Sequence, residues 1–404
     1  MSSALHRIYR RSTQPIRSRF EYYRLPKLAK DLLAADRSGP AQGTLLPVDA
    51  TRASAEWLCA AQDNSRTHDG GVARDYDLRS GWGPSYPETT GYIIPTFLRL
   101  SEFLGEQAYR ERAREMVEWL MCIQRSDGGF QGGRIGRTPV VSVTFNTGQI
   151  LIGLAIAARE FEDSRVFDAT RRAAIFLRDS QDSDGCWRSH PTPFAQAGDK
   201  SYETHVSWGL FEAERTLPAE GFAEAGYSQV DWALKNQTGN GWFEKNCLDN
   251  PEAPLTHTIG YALRGVIEAY RLGGRQSDID AAVRTADALL RCIDERGFIS
   301  GRLASDWTAA AGWSCLTGTV QIATCWLLLD RALGRRDYRD AASRAIDYVR
   351  RTIQLHQEPG ISGGVKGSVP ADGGYTRFQY PNWAAKFFID AQLLEIAADD
   401  DKIR

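Results

Sequence analysis

The chain of 404 residues has no run of eighteen apolar residues, no CxxC pair and no large charge of either sign. Each absence closes a class of protein. Without a long apolar run no helix is expected to cross a bilayer. The seven cysteines, Cys59, Cys122, Cys186, Cys247, Cys292, Cys315 and Cys325, are odd in number and scattered. That pattern excludes a disulfide framework or a zinc knuckle and fits reduced thiols in the cytosol. A net charge of −2 supplies no general field for nucleic acid. There is no HExxH, EF-hand loop, Walker sequence or GxGxxG opening a βαβ unit, so neither a metal nor a cofactor is expected. The first residues lack the apolar core of a secretory signal, which makes a soluble, cytoplasmic protein the expectation.

What is present is repetition. Hydrophobic residues at 42% and charged residues at 25% are enough for a sizeable core. Six short glycine-rich loops punctuate the chain: DGGVARD, DGGFQGG, DGCWRSH, GNGWFEK, RGFISGR and SGGVKGS. Each follows an amphipathic stretch, at 53–62, 109–124, 166–181, 222–237, 279–294 and 338–356, and precedes a more apolar one. A unit of roughly 50 to 65 residues made of two helices is a repeat architecture. The pattern predicts an all-α fold, an (α/α)6 toroid of six helical hairpins, with amphipathic helices outside and apolar helices forming an inner ring. Residues 46–404 form that domain, and 1–45 are a basic arm. The arm carries eight Lys/Arg against Glu21 over its first 30 residues. It is read as an extension along the outside of the domain, and as a candidate contact with a partner protein or the inner face of a membrane.

In such a ring the inner helices point the same way and their N-termini gather, with the loops, at one end. That end is where a pocket is expected, favouring an anionic or hydroxyl-rich ligand. Glycines recur near the starts of five inner helices (Gly91, Gly148, Gly209, Gly260, Gly318), which implies close approach of neighbouring helices or of a ligand. Thr89, Thr147, Thr204, Thr256, Thr317 and Asn382 stand where N-caps belong. Around them the rim collects aromatics, carboxylates and histidines, the groups that stack on sugar rings and direct hydroxyls.

Candidate catalytic residues at this rim are Glu88, His205, His257, Tyr261 and Tyr375. Candidate substrate-binding residues in the inner-helix starts and the loops are Tyr86, Tyr92, Asn146, Trp187, Trp242, Glu244, Asp306 and Trp313. The long segment before the last helix adds Lys366, Arg377, Tyr380 and Asn382. Removal of a sugar C5 proton needs a base, for which His205, His257, Tyr261 and Tyr375 are candidates, and a group that holds the carboxylate, for which Arg377, Lys366 and Asn382 are candidates. Inverting hydrolysis would instead pair Glu88 with Asp306 or Glu203. A non-catalytic glycan-binding protein would need the aromatics alone.

The loops WLMCIQRSDGGFQGG, FLRDSQDSDGCW and ALKNQTGNGW resemble the repeats of squalene cyclases and protein prenyltransferase β-subunits. A cyclase DxDD acid motif within a repeat and the prenyltransferase zinc set have no counterpart, so terpenoid cyclase chemistry is the weaker alternative. The stretch GNGWFEKNCLDNPEAPLTHTIGYALRGVIEAYRL resembles a hairpin of six-hairpin carbohydrate enzymes, including the C-terminal domain of glucuronyl C5-epimerases. SYPETTGYIIPTFL and GGVKGS…GGY…YPNWAAKFFIDAQLL resemble proteins encoded among bacterial exopolysaccharide genes. These resemblances imply an enzyme of polysaccharide biosynthesis acting on an acidic, uronate-containing oligo- or polysaccharide. Epimerase or lyase chemistry is favoured, with glycoside hydrolysis as the alternative.

Overall fold

A computed structural model describes residues 22–39 and 43–400, the last two without side chains. Six helical hairpins run in chain order after a leading helix α1 (Lys27–Arg37). The outer helices are α2 (Pro47–Asp63), α4 (Gln107–Ile123), α6 (Ser164–Asp179), α8 (Phe222–Lys235), α10 (Gln276–Leu290) and α12 (Arg336–Arg350). Their inner partners are α3 (Pro87–Leu104), α5 (Thr144–Phe161), α7 (Thr204–Thr216), α9 (Thr256–Gly273), α11 (Leu316–Leu333) and α13 (Asn382–Asp400). Each inner helix packs on the next, and α13 returns to α2 and α3 to close the ring. The fold is the all-α (α/α)6 toroid that the repeat predicts.

The repeated glutamines explain why the hairpins stack. Gln124 Nε2 donates to the carbonyl of Gly128 in its own loop at 2.9 Å and to Ala169 of the next outer helix at 3.0 Å. Gln181 does the same with Gly185 and Ala225, and Gln237 ties to Ala281 and Thr285. At the first two of these seams one half-buried amide satisfies carbonyls on both sides, and at the third it binds the next outer helix twice. The loop glycine beside it is equally constrained. Gly185 has φ 92°, and a Cβ there would lie 2.2 Å from the carbonyl oxygen of Ser228.

Glycines on the inner helices set the ring's tightness. A Cβ at Gly91 would lie 2.5 Å from Ile150 Cα, and one at Gly318 would lie 2.6 Å from the backbone nitrogen of His257. Neighbouring helices therefore touch backbone to backbone at these points. The threonines beside them are not caps: residues such as Val143 and Leu255 hold that position, without side-chain capping bonds. Their hydroxyls stitch instead. Thr147 Oγ1 donates to Val143 O and accepts from the Phe130 amide, while Thr204 Oγ1 reaches Ala262 O on the next inner helix.

Short strands join the loops across the mouth of the ring. β1 (Asp75–Asp77) pairs antiparallel with β2 (Gly81–Trp82) and with β5 (Gln379–Pro381), placing Tyr76 opposite Tyr380 and linking the first and last loops. β3 (Ser314–Cys315) pairs with β4 (Ser368–Val369). Helix α1, within the segment read as an arm, buries Ala29, Leu32 and Leu33 and pairs Asp36 with Lys366. The arm's first 21 residues lie outside the described residues. No described helix is long and apolar enough to cross a membrane.

Candidate active site

At the end where the inner helices begin, a cavity of about 450 Å³ opens between the loops. Its centre is Glu88, in the first turn of α3. Tyr86 Oη and Asn146 Nδ2 donate to the same carboxylate oxygen, Oε2, at 2.6 and 2.7 Å. That leaves Oε1 for a ligand. A carboxylate at a helix N-terminus should be easy to ionise. Burial overrides the helix here and raises the Glu88 pKa from 4.5 to about 7, against the lowering pull of Tyr86 and Arg74.

His257 and Tyr261, one turn apart on α9, line the opposite side together with Tyr375. His257 Nδ1 meets Gln321 Oε1 at 2.8 Å, so Nδ1 carries the hydrogen and Nε2 is the acceptor. Burial lowers its pKa to about 4, which keeps the ring neutral near pH 7. The Tyr261 ring stands 4.4 Å from that of His257, and Tyr375 Oη accepts from Trp383 Nε1 at 2.8 Å. Burial pushes both phenols well above 10, so they stay protonated and act as donors. Arg74, paired with Asp75, lies over the rings of Trp383 and Tyr86 at the cavity wall.

Seven of the residues chosen from the sequence therefore meet in one cavity: Tyr86, Glu88, Tyr92, Asn146, His257, Tyr261 and Tyr375. The structure moves the others away. His205 is buried behind Tyr261, with ring centroids 4.5 Å apart and Nδ1 held by Gln149. Trp187 and Trp242 plug hairpin ends: Trp187 Nε1 donates to Leu177 O, and Trp242 packs edge-on against Trp307. Trp313 fills the space over Gly301 and Gly374. Glu244, Asp306 and Arg377 are exposed outside the cavity, and Asp306 accepts from the amide and hydroxyl of Thr308.

Three residues of the last loop and the helix start that follows it are buried for structural ends. Lys366 is only 2% exposed, held by Asp36, because α1 covers it. Tyr380 is buried where β5 meets β1, and Asn382 Nδ2 donates to Ala73 O. Glu203, the hydrolytic alternative, is also buried outside the cavity lining. Other residues also line the cavity. Arg74, Tyr202 and Trp383 stand in the same first turns and loops that the repeat singles out. Arg134, Arg137 and Phe194 come from loop stretches outside the repeat, and only the path of those loops brings them to the mouth.

No protein-family model and no curated sequence matches the chain. Solved structures share its fold. It is similar to an unsaturated glucuronyl hydrolase specific for heparin (14% identity, TM-score 0.70, 87% of this chain and 97% of that one). It is similar to a cellobiose 2-epimerase from Bacillus thermoamylovorans (12%, 0.67, 86% and 99%) and to a D-mannose isomerase (9%, 0.69, 87% and 98%). At these identities the likeness establishes the toroid and leaves chemistry to the site.

Proposed function

We propose that the protein is a carbohydrate-active enzyme that transfers a proton at C5 of a uronate unit in an oligo- or polysaccharide, by epimerisation or elimination. The observation that carries this reading is that, among the described residues, Glu88 is the only carboxylate lining the cavity. Inverting hydrolysis needs a second carboxyl roughly 6.5 to 9.5 Å away. A lone carboxyl with a pKa of about 7 instead suits proton transfer near neutral pH.

Glu88 Oε1, when ionised, takes the C5 proton. The electron pair moves toward the sugar carboxylate, whose growing charge meets Arg74 and the phenol donors. From there the carbanion is reprotonated on its other face by Tyr261 or Tyr375, inverting C5, or it expels the C4 oxygen substituent, which takes a proton from one of these phenols and leaves a C4–C5 double bond. The neutral His257 Nε2 orients a substrate hydroxyl. The carboxylate-holding role passes from Lys366, Arg377 and Asn382 to Arg74. Uronate as the target is supported by the fold shared with a glucuronyl hydrolase and by the arginines of the cavity. The resemblance to exopolysaccharide-gene proteins supports a place in polysaccharide assembly.

Incubation with uronate oligosaccharides in heavy water tests the proposal. Deuterium at C5 marks an epimerase, and ultraviolet absorbance of an unsaturated uronate marks a lyase. Glu88→Gln should reduce either signal about 10²- to 10⁴-fold. New reducing ends without deuterium or absorbance, or a fully active Glu88→Gln, would overturn it.

A further inference from the structure

We propose that Arg134, Arg137 and Phe194 form a second, outer subsite that grips a carboxylate-bearing unit further along the chain from the unit at Glu88. The substrate is then an acidic oligosaccharide and not a free monosaccharide. This inference rests on the uronate reading above and specifies its substrate.

All three side chains line the cavity that holds Glu88. Arg134 and Arg137 are exposed, and among the described residues no carboxylate pairs with either. In the same cavity Arg74 has Asp75, and in the cavity at the far end Arg99 has Asp390, Arg110 has Glu160, and Arg264 and Arg271 share Glu268. Two uncompensated guanidiniums three residues apart therefore bring net positive charge to one side of the mouth. Arg137 is also positioned. Its guanidinium lies 4.1 Å over the ring of Phe194, which comes from the following loop. The two loops close on each other because residue 133 is glycine, where a Cβ would lie 2.7 Å from Phe194 Cε2. A guanidinium steadied on an aromatic face keeps its N–H edge for a planar, bidentate carboxylate. A cavity of about 450 Å³ is within the range of roughly 300 to 1,000 Å³ occupied by ligand clefts, with room beyond one sugar ring.

The test is calorimetric binding in the Glu88→Gln background, which holds substrate without turning it over. The probes are a tetra-uronate, a single uronic acid and a neutral tetrasaccharide. The double variant Arg134→Ala/Arg137→Ala should weaken the tetra-uronate about tenfold or more at low salt, and leave the single uronic acid and the neutral chain within about twofold. High salt should erase the difference. Both residues are exposed, so the variant should fold normally, which its melting temperature checks. Unchanged tetra-uronate affinity overturns the subsite. Equal weakening of the single uronic acid also overturns it, since the arginines would then serve the inner unit. An active Glu88→Gln enzyme that still shows the arginine-dependent discrimination would sink the proton-transfer reading and leave the subsite standing.

Discussion

The two ends of the toroid are built from the same helices and differ in almost everything else. At one end the connections are long, from twenty residues (124–143) to thirty-one (351–381). At the other they span two residues at 105–106, 162–163, 274–275 and 334–335. Both ends hold a cavity lined by arginines and an aromatic ring. The far cavity has Trp208 with Arg264 4.1 Å over it, and beside them Arg99, Arg110 and Arg271. Each end also buries a glutamate. Burial pushes the pKa of Glu268 upward too, but Arg264 and Arg271 outweigh it and leave it lowered, whereas Glu88 has no ion pair among the described residues and is raised to about 7. The same desolvation thus yields a locked ion pair at one end and a titrating acid at the other. A partner cation decides which.

Substitution of the two glutamates should separate these roles most sharply. Glu88→Gln should lose about 10²- to 10⁴-fold in turnover and fold normally, since glutamine still accepts from Tyr86. Glu268→Gln should keep its specific activity while losing about 3 to 5 kcal/mol of unfolding free energy, because two guanidiniums are left without their buried counter-charge. Denaturant unfolding beside a turnover assay checks both. If the stability loss appears at Glu88 and the activity loss at Glu268, the division between ends is wrong.

pH should move the ends in opposite directions. A carboxyl whose folded pKa is raised gives stability that is complete below its unfolded value and lost as pH climbs through the folded one. For Glu88 that window runs from about 4.5 to about 7, and for Glu203, raised by burial against the pull of Lys200, from about 4.5 to about 8. The expected loss is on the order of a few kcal/mol for each. Glu203→Gln should therefore melt higher than the parent at pH 8 to 9 and match it near pH 4.5. Glu268 works the other way, its contribution holding above 4.5 and fading as pH falls. Turnover should rise through about pH 7 as Glu88 ionises, so the site gains activity over the range in which it loses stability.

The frame was legible because it is periodic. Alternation of amphipathic and apolar stretches marks the twelve helices, and the Gln and Gly of each seam recur wherever the same bond is made. Gly185 is typical. Gly185→Ala should cost about 2 kcal/mol by pressing a methyl on the Ser228 carbonyl, with catalysis unchanged. The cavity was most legible where it follows that frame: Glu88, Asn146 and His257 in first turns of inner helices and Tyr261 one turn further along all line it. Most loop residues chosen from the sequence lie elsewhere, Tyr375 excepted, for a physical reason. Whether a loop side chain faces the cavity depends on the path of some twenty or more residues and on what covers it. Lys366 read as a substrate cation until α1 delivered Asp36 to it, and nothing in the sequence singled out Arg134 and Arg137, which the path of their loop brings to the mouth.

The far end offers the smallest and cleanest test of the comparison. After α3, α9 and α11 the chain reverses through a left-handed glycine, Gly105, Gly274 and Gly334, with φ of 70°, 67° and 69°. After α5 the same position holds Glu162, exposed and with φ 51°. A side chain there meets the steric cost of the left-handed region, of which glycine is free, while glycine adds entropy to the unfolded chain. The first effect is the larger at a helix end, so Glu162→Gly should raise stability by about 0.5 to 1 kcal/mol. Turnover should not change, because a two-residue turn at this end transmits nothing to loops at the other. An altered rate with the stability gain would show instead that the inner helices couple the ends, and that the far cavity belongs to the working part of the molecule.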